Sequence, residues 1–340
     1  MAVGEPFAVG VKDPSAAAEA RRQATALATT LGFDEADVGR VAIVVTEAAT
    51  NLLKHAGGGE ILGRAVVKGT RSSLEILALD RGPGIRSVDA ALQDGYSSAG
   101  SAGTGLGAIR RVASEFDIYS TRDGGTAILA VLQARSSRDA AGSPALRVAG
   151  LSLPKPGQDV CGDAWTCRRT RDGVAILVVD GLGHGPSAAE AAREAERLFL
   201  EGPVDASPAQ MLDRVHRGLR PTRGAAGAIA HVDPQRELVT YVGVGNIAGF
   251  ILGGERPRAM VSHNGILGHE ARRIQEFTYP WPPDSTLVLH SDGLTTHWSL
   301  DGYPGVIRRH PGLIAGLLYR DFRRAHDDVT VVVAGGPRPS

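Results

Sequence analysis

The segment Gln133–Leu146 reads QARSSRDAAGSPAL and separates two long stretches of helix-like and strand-like sequence. Apolar, strand-like runs flank it on both sides, and its own richness in Ser, Ala, Arg and Gly is typical of an inter-domain linker. A chain of 340 residues also exceeds the size at which a single core usually stops growing. We therefore predict two domains, residues 1–135 and 147–336, joined by a linker at residues 136–146.

The balance of positive and negative side chains indicates which kinds of partner the chain would not attract through charge. Lys plus Arg and Asp plus Glu each number 37, so the formal net charge is zero, which argues against nucleic acid or an anionic membrane as the main partner. The first residues lack the pattern of a signal peptide, and no apolar run approaches the roughly 18 residues that span a bilayer. Cys161 and Cys167 lack zinc-ligand spacing and fit a reducing compartment. We expect a cytoplasmic protein that binds neither nucleic acid nor membrane.

The first half carries a long helix followed by strands. Between Glu35 and Ala56, apolar residues recur every three or four positions, which predicts an amphipathic helix. Four strand-like runs follow it: Glu60–Val67, Ser73–Asp80, Phe116–Ser120 and Thr126–Leu132. This order predicts an α+β domain with helices packed on one face of a mixed or antiparallel sheet.

The second half is dominated by short apolar strands. We predict them at Ala175–Val179, Gly227–Val232, Leu238–Val242, Ala248–Leu252, Thr286–His290 and Val329–Ala334. Two Ala-rich helical stretches, Ser187–Leu200 and Ala209–Leu219, interrupt the strands. This pattern predicts a layered α+β sandwich in which helices cover the sheets.

Three segments of the first half could bind a nucleotide without a GxxxxGK[ST] loop, which the chain lacks. Glu47 and Asn51 are four residues apart and share one face of the long helix, where carboxylate and amide oxygens suit a magnesium–triphosphate group. Asp80 ends a strand and could accept a hydrogen bond from an exocyclic amine, while Gly82 and Gly84 let a ligand approach the backbone.

The third segment is Gly103-Thr104-Gly105-Leu106-Gly107, which immediately precedes a helical stretch. Backbone N–H groups of such a turn, together with the helix N-terminus, can hold phosphates. Each of the three segments is weak by itself, because glycine-rich turns and acids at strand ends are common. Their order along the chain makes a nucleotide site the better interpretation.

The segments EAATN, DRGPG and GTGLG resemble the N box and the two Gly boxes of the Bergerat-type (GHKL) ATP-binding fold, over roughly residues 10–133. The resemblance implies that Glu47 acts as general base, Asn51 holds Mg²⁺ and Asp80 binds adenine. It also implies an ATP contact for these residues: Gly82, Gly84, Gly103, Thr104, Gly105, Leu106 and Gly107. The short lid at 86–102 is most similar to anti-sigma and stressosome switch-type serine/threonine kinases, which phosphorylate STAS-domain regulators. His55 either shapes the nucleotide pocket or caps the last helical turn.

Acidic residues of the second half stand beside glycines or at strand ends. They are Asp163, Asp180, Asp292, Asp327 and Asp328. Carboxylates that converge at one sheet edge suit Mg²⁺ or Mn²⁺, and two such ions can activate a water for in-line attack at phosphorus. No CxxxxxR loop surrounds Cys161 or Cys167, so we do not predict a cysteine nucleophile.

The segments GDAW, VVDGLGHG, SDGL and DDVTVVV resemble, in this order, the motifs of SpoIIE-like type 2C (PPM) protein phosphatases, including stressosome feedback phosphatases, over residues 147–335. The resemblance implies an α-β-β-α sandwich and two Mn²⁺ or Mg²⁺ ions. Asp180 would bridge both ions, the Gly181 carbonyl would be a ligand, and Asp292 with Asp327 would complete the second ion. Asp163 would contact metal-bound water.

Three further residues or segments of the second half have alternative interpretations. Asp328 is predicted to lie outside the ligand set. His184 has either a catalytic or a structural role. Gly243–Asn246, GVGN, superficially suggests a nucleotide turn, but strands flank it on both sides and a hairpin is the better interpretation.

The two resemblances together predict a bifunctional regulator that phosphorylates a STAS-domain protein with ATP and dephosphorylates phospho-Ser or phospho-Thr. The partner would be an anti-sigma-factor antagonist or a stressosome component, with a sigma factor or a downstream regulator as a further candidate. In one alternative, the first domain only binds a sigma factor or regulator and the phosphatase alone is catalytic. In another, the chain is a metabolic phosphohydrolase that acts on a small molecule.

Overall fold

The computed structural model of the chain describes residues 5–68, 71–92, 105–134, 146–254 and 256–335. Its contacts divide the chain into two compact units, Met1–Gly142 and Ser143–Ser340. The predicted linker at 136–146 lies outside the described residues except for Leu146, so its bounds stay a prediction. Within the described ranges, no helix has both the length and the apolar character needed to cross a membrane.

The first unit is one sheet with helices on one face. Its elements are β1 (Phe7–Val11), α1 (Pro14–Thr30), α2 (Glu35–His55), β2 (Gly59–Lys68), β3 (Arg71–Leu79), α3 (Val88–Ala91), α4 (Gly105–Val112), β4 (Glu115–Ser120) and β5 (Thr126–Gln133). The strand order is β1-β2-β3-β5-β4. All four pairings are antiparallel, so the sheet is antiparallel rather than mixed. The reason is that β2–β3 and β4–β5 are hairpins, whose strands are antiparallel. The second hairpin pairs with β3 through β5, which also runs antiparallel to β3.

Local signals at both ends define the predicted helix α2. The Asp34 side chain caps its first turn by accepting a hydrogen bond from the Asp37 backbone N–H at 2.7 Å. At the other end, the helix stops at His55 with Ala56 as its C-cap, and Gly57 follows with a φ of 70°. The apolar face of α2 packs into a core shared with α1 and the sheet. This packing holds the opposite, half-exposed face, which carries Glu47, in a fixed position.

The second unit contains two sheets. Its elements are β6 (Arg147–Leu153), β7 (Asp163–Arg169), β8 (Val174–Gly181), α5 (Pro186–Glu201), α6 (Pro208–Gly218), β9 (Ala225–Asp233), β10 (Leu238–Val244), β11 (Ala248–Leu252), β12 (Arg258–Ala259), β13 (Phe277–Pro280), β14 (Thr286–His290), α7 (Pro311–Phe322) and β15 (Val329–Gly335), with a 3-10 turn at Val306–Arg308. The strand orders are β13-β10-β9-β8-β7 and β12-β11-β14-β15-β6. All six predicted strands and both predicted helices are present.

The layers of the second unit follow from its two cores. Ile176 and Val178 of β8 share one core with Leu287 and Leu289 of β14, so the two sheets pack face to face. Residues of β8 that point the other way share a second core with α5 and α6, and α7 packs on β6 and β15. This arrangement confirms the predicted α-β-β-α sandwich.

Candidate active sites

The first candidate site begins where α2 meets α4. A Cβ atom on Gly105, the first residue of α4, would lie 3.2 Å from Asn51 Oδ1 and 3.3 Å from Glu47 Oε2. A side chain at this position would press on both groups, so a glycine suits this close approach of the backbone. Asn51 Nδ2 is buried and has no hydrogen-bond partner in the described part of the chain. An unsatisfied buried amide costs free energy, which is consistent with a polar ligand at this point.

Asp80 is held by backbone groups from two different segments. Its Oδ1 accepts hydrogen bonds from the N–H of Gly82 at 2.8 Å and from the N–H of Thr126 at 3.1 Å. Gly84 has a φ of 74°, and a Cβ there would lie only 2.0 Å from the carbonyl oxygen of Thr121. The loop that carries Asp80 is therefore packed tightly against the turn between β4 and β5.

The loop after β3 and the helix α2 meet at one end. A Cβ on Gly82 would lie 2.8 Å from the Cα of Ala56, the C-cap residue of α2. His55 is exposed in the last turn of α2, and Leu106 packs against the core of the unit. Gly103 and Thr104 lie outside the described residues. The structure thus brings together Glu47, Asn51 and Gly105, and it places Asp80 and Gly82 at the same end of α2.

This donor set fits ATP with Mg²⁺. The site offers the Glu47 carboxylate, the amide oxygen of Asn51 and the glycine-rich start of a helix, and the unsatisfied Asn51 Nδ2 is a donor for a phosphate oxygen. Oxygen ligands and backbone N–H groups are what magnesium and phosphates prefer. The predicted roles of Asn51 as a magnesium ligand and of Gly105 and Gly107 as phosphate contacts stay predictions.

The second candidate site begins with a pair of acids on neighbouring strands. Asp163 of β7 and Asp180 of β8 lie opposite each other in the antiparallel register. Asp163 is only 5% exposed, and its Oδ2 accepts a hydrogen bond from Ser291 Oγ at 2.5 Å. Ser291 Oγ in turn accepts one from the Thr330 N–H at 3.0 Å. This network joins the two sheets at the acids.

Asp292 and Asp327 approach the same edge from the other sheet. Asp292 follows β14 and Asp327 precedes β15, its antiparallel neighbour. Burial, together with the charges of Asp292 and Asp327, raises the pKa of Asp180 to about 7. Burial and the charge of Asp180 raise the pKa of Asp163 well above its ordinary value. The four predicted carboxylates are therefore close enough to repel one another.

The carboxylates do not form a closed ligand set. Among the residues that the structure describes, no group of three or more His, Cys, Asp or Glu side chains has the geometry of a metal site. The donors are nevertheless all oxygens, which suit Mg²⁺ or Mn²⁺, and a cation would relieve the repulsion that raises the pKa of Asp180. The residues present fit divalent cations that take part of their coordination from water.

Asp328 uses both carboxylate oxygens to fix a loop. Its Oδ1 accepts from the Lys155 N–H and its Oδ2 from the Gly162 N–H, each at 2.8 Å. A Cβ on Gly162 would lie 2.8 Å from Asp328 Oδ2, so the contact requires a glycine. These bonds position the chain directly before Asp163. Such a position agrees with a place outside the ligand set, which stays a prediction.

Asn246 is a site residue that the sequence interpretation missed. Its Nδ2 donates a hydrogen bond to Asp292 Oδ2 at 2.7 Å. The hairpin prediction for Gly243–Asn246 is wrong, because β10 and β11 belong to different sheets and this segment crosses between them. A polar residue two positions after an apolar strand was the signal that could have identified it, since Asp292 has the same position after β14.

His184 and the two cysteines complete the predicted set. His184 is exposed in the loop between β8 and α5, and its role stays a prediction. Cys161 and Cys167 are free cysteines. Burial and the negative charges of Asp163 and Asp328 raise the pKa of the Cys161 thiol, so it stays protonated. This agrees with a site that uses no cysteine nucleophile.

Comparisons with known proteins agree with the predicted family and fold of the two units. A family model described as a histidine kinase-like ATPase domain matches residues 11–132, and one described as stage II sporulation protein E (SpoIIE) matches residues 170–335. The serine/threonine-protein kinase RsbT of Bacillus subtilis (strain 168) is 35% identical over 112 residues, which are 33% of this chain and 84% of RsbT.

Similarity extends to phosphatases and to a solved structure. The phosphoserine phosphatase RsbX of Bacillus subtilis (strain 168) is 26% identical over 144 residues, 42% of this chain and 71% of RsbX. A solved structure described as "The bacterial stressosome: a modular system that has been adapted to control secondary messenger signaling" is 29% identical, with a TM-score of 0.51 over 56% of this chain and 98% of that one. The chain therefore belongs to the partner-switching regulators, with an RsbT-like histidine kinase-like ATPase domain followed by a SpoIIE-type phosphatase domain.

Proposed function

We propose that the chain is a bifunctional regulator that sets the phosphorylation level of a STAS-domain protein. The first unit transfers the terminal phosphoryl group of ATP to a Ser or Thr, and the second unit hydrolyses phospho-Ser or phospho-Thr. The observation that carries the proposal is the meeting of Asp163, Asp180, Asp292 and Asp327 at one edge of a two-sheet sandwich, on the same chain as a nucleotide site. The partner would be an anti-sigma-factor antagonist or a stressosome component.

In the first unit, Glu47 is the proposed general base. It lies beside Asn51 and Gly105, so a hydroxyl that enters next to the phosphates would meet its carboxylate. Asp80 would accept a hydrogen bond from the adenine amine, because two backbone N–H groups fix its orientation. These residues bind and orient ATP and accept one proton.

In the second unit, Asp180, Asp292 and Asp327, with the Gly181 carbonyl, would hold two Mn²⁺ or Mg²⁺ ions. Bound ions of this kind supply an activated water and neutralise charge at phosphorus. The contribution of the protein is to orient the carboxylates: Ser291 fixes Asp163 and Asn246 fixes Asp292.

The test separates the two activities on one partner. Wild type, Glu47→Gln and Asp292→Asn would each be incubated with radiolabelled ATP, Mg²⁺, Mn²⁺ and a purified STAS-domain protein. We expect Asp292→Asn to accumulate the phosphorylated partner, because it lacks only the hydrolase. We expect Glu47→Gln to bind ATP, to leave the partner unlabelled, and still to dephosphorylate a partner that was labelled beforehand.

Two outcomes would support other functions. If no variant labels the partner but the first unit binds it stably, the first unit is a binding module and only the phosphatase is catalytic. If the chain hydrolyses nucleotides or sugar phosphates but not the phosphorylated partner, it is a small-molecule phosphohydrolase. Either result would contradict the bifunctional proposal.

A further inference from the structure

Arg223 contacts the loop that leaves the carboxylate cluster of the second unit. It lies between α6 and β9, and its Nη1 is 3.2 Å from the position that a Cβ on Gly183 would occupy. Gly183 is three residues after Asp180, in the exposed segment between β8 and α5. Because Gly183 has no side chain, the guanidinium can lie directly against this loop. A permanent positive charge therefore stands at the rim of a strongly acidic site.

Backbone contacts fix the turn that carries Arg223. The Leu182 N–H donates to the carbonyl oxygen of Gly224 at 3.0 Å, which ties this turn to the loop after Asp180. Thr222 Oγ1 donates to the Leu219 carbonyl at 2.7 Å and accepts from the Gly224 N–H at 3.0 Å. The base of the Arg223 side chain is thus held in place relative to the site, and less conformational entropy is lost when a ligand binds.

The charge of Arg223 has no partner among the residues that the structure describes. In the described part of the chain its guanidinium takes part in no hydrogen bond or ion pair, and the residue is exposed. Arg324 differs, because its positive charge lowers the pKa of Asp327. An unpaired arginine is suited to bind a ligand that brings two acceptor oxygens, as a phosphate monoester does.

Electrostatics gives a reason for such a contact. The site edge carries Asp163, Asp180, Asp292, Asp327 and Asp328, and negative charge that bound cations leave uncompensated would repel a doubly charged phosphate group. A guanidinium at the rim would offset part of this repulsion and hold the phosphate before it reaches the acids. Building on the proposed phosphatase function, we propose that Arg223 binds the phosphate group of the phosphorylated protein substrate.

The test compares Arg223→Ala, Arg223→Gln and Arg223→Lys with Arg220→Ala. Arg220 is an exposed arginine three residues earlier in the same connection, so it controls for a general loss of surface charge. Binding of inorganic phosphate to the Mn²⁺-loaded full chain would be measured by thermal shift, which needs no turnover. KM and kcat for a phosphoserine peptide would be measured in parallel.

We expect Arg223→Ala and Arg223→Gln to weaken phosphate binding and to raise KM by about tenfold, since charge-assisted hydrogen bonds are strong. Arg223→Lys should recover part of the loss, and Arg220→Ala should match wild type. The Mn²⁺ concentration that gives half-maximal stabilisation should not change in any variant, which separates substrate binding from a structural role.

Two results with the variants would overturn the assignment: unchanged phosphate binding in both Arg223→Ala and Arg223→Gln, or an equal loss in Arg220→Ala. Absence of phosphate binding to wild type would overturn it as well. A wild type that binds phosphate through Arg223 but does not hydrolyse the peptide would support the phosphate contact and contradict the phosphatase function, so the two failures are distinguishable.

Discussion

The two candidate sites handle negative charge in opposite ways. In the first unit, Glu47 lies beside an amide and a glycine backbone, and Asp80 is neutralised in part by two backbone N–H groups. In the second unit, five carboxylates share one edge, and burial with mutual repulsion raises the pKa of Asp163 and Asp180. A site for Mg-ATP needs few charges because the ligand brings its own. A site that must hold cations by itself needs several carboxylates, which repel one another until the cations bind.

The strongest way to test this contrast is Asp180→Asn. We expect hydrolysis of p-nitrophenyl phosphate with Mn²⁺ to fall on the order of 10³-fold, because the variant loses the acid at the centre of the cluster. ATP binding by the first unit should not change. Asp172→Asn is the matched control, since Asp172 also precedes a glycine but is exposed at the opposite end of β8. Activity that survives in Asp180→Asn would refute the metal-dependent site.

A second test removes an orienting group while leaving all the acids in place. Asn246→Ala should weaken Mn²⁺ activation by roughly 10-fold or more, because Asp292 loses the hydrogen bond that orients it. Phosphatase activity and thermal stability would each be measured at increasing Mn²⁺ concentrations, which gives two independent Mn²⁺ midpoints. Equal Mn²⁺ midpoints in variant and wild type would mean that the carboxylates orient themselves around the ions without this hydrogen bond.

The first site should be sensitive to steric change more than to charge. Gly105→Ala would place a methyl group 3.2 Å from Asn51 Oδ1 and 3.3 Å from Glu47 Oε2. We expect about a tenfold loss of ATP affinity by calorimetry, with phosphatase activity intact. Gly39→Ala, in α2 with nothing within 4 Å of the added atom, should keep ATP affinity and stabilise the first unit by up to about 1 kcal/mol. Similar ATP affinities in the two variants would contradict the close approach.

The smallest effect concerns stability of the second unit without metal. Its folded state raises the pKa of Asp180 from the ordinary value of 3.8 to about 7, so the folded state disfavours the ionised form. In EDTA, the contribution of Asp180 to the free energy of unfolding should be fully present below about pH 4 and be lost as the pH rises towards 7. Asp180→Asn should lose less stability over this range, as measured by urea unfolding at several pH values. A parallel decline in both proteins would show that repulsion at Asp180 is relieved in another way.

Several elements of the first unit follow from local sequence, and others do not. The periodicity of Glu35–Ala56 predicted α2, and the hairpin signals predicted β2 to β5. The helix α1 was not predicted, because its buried face consists mainly of alanines, whose apolar signal is weak. The short strand β1 was also missed, since five residues carry too little alternation to be recognised.

The sequence by itself determined the chemistry of this protein: which acids, amides and glycines are available, and in what order along each domain. That information is local, because turns and strand ends depend on a few adjacent residues. The tertiary structure decided which residues meet. Asn246 reaches Asp292, and Ser291 reaches Asp163, only because the two sheets pack face to face. Whether the segment after β10 closes a hairpin or crosses to the second sheet depends on the core that β11 joins, and such long-range packing leaves no signal in the segment itself.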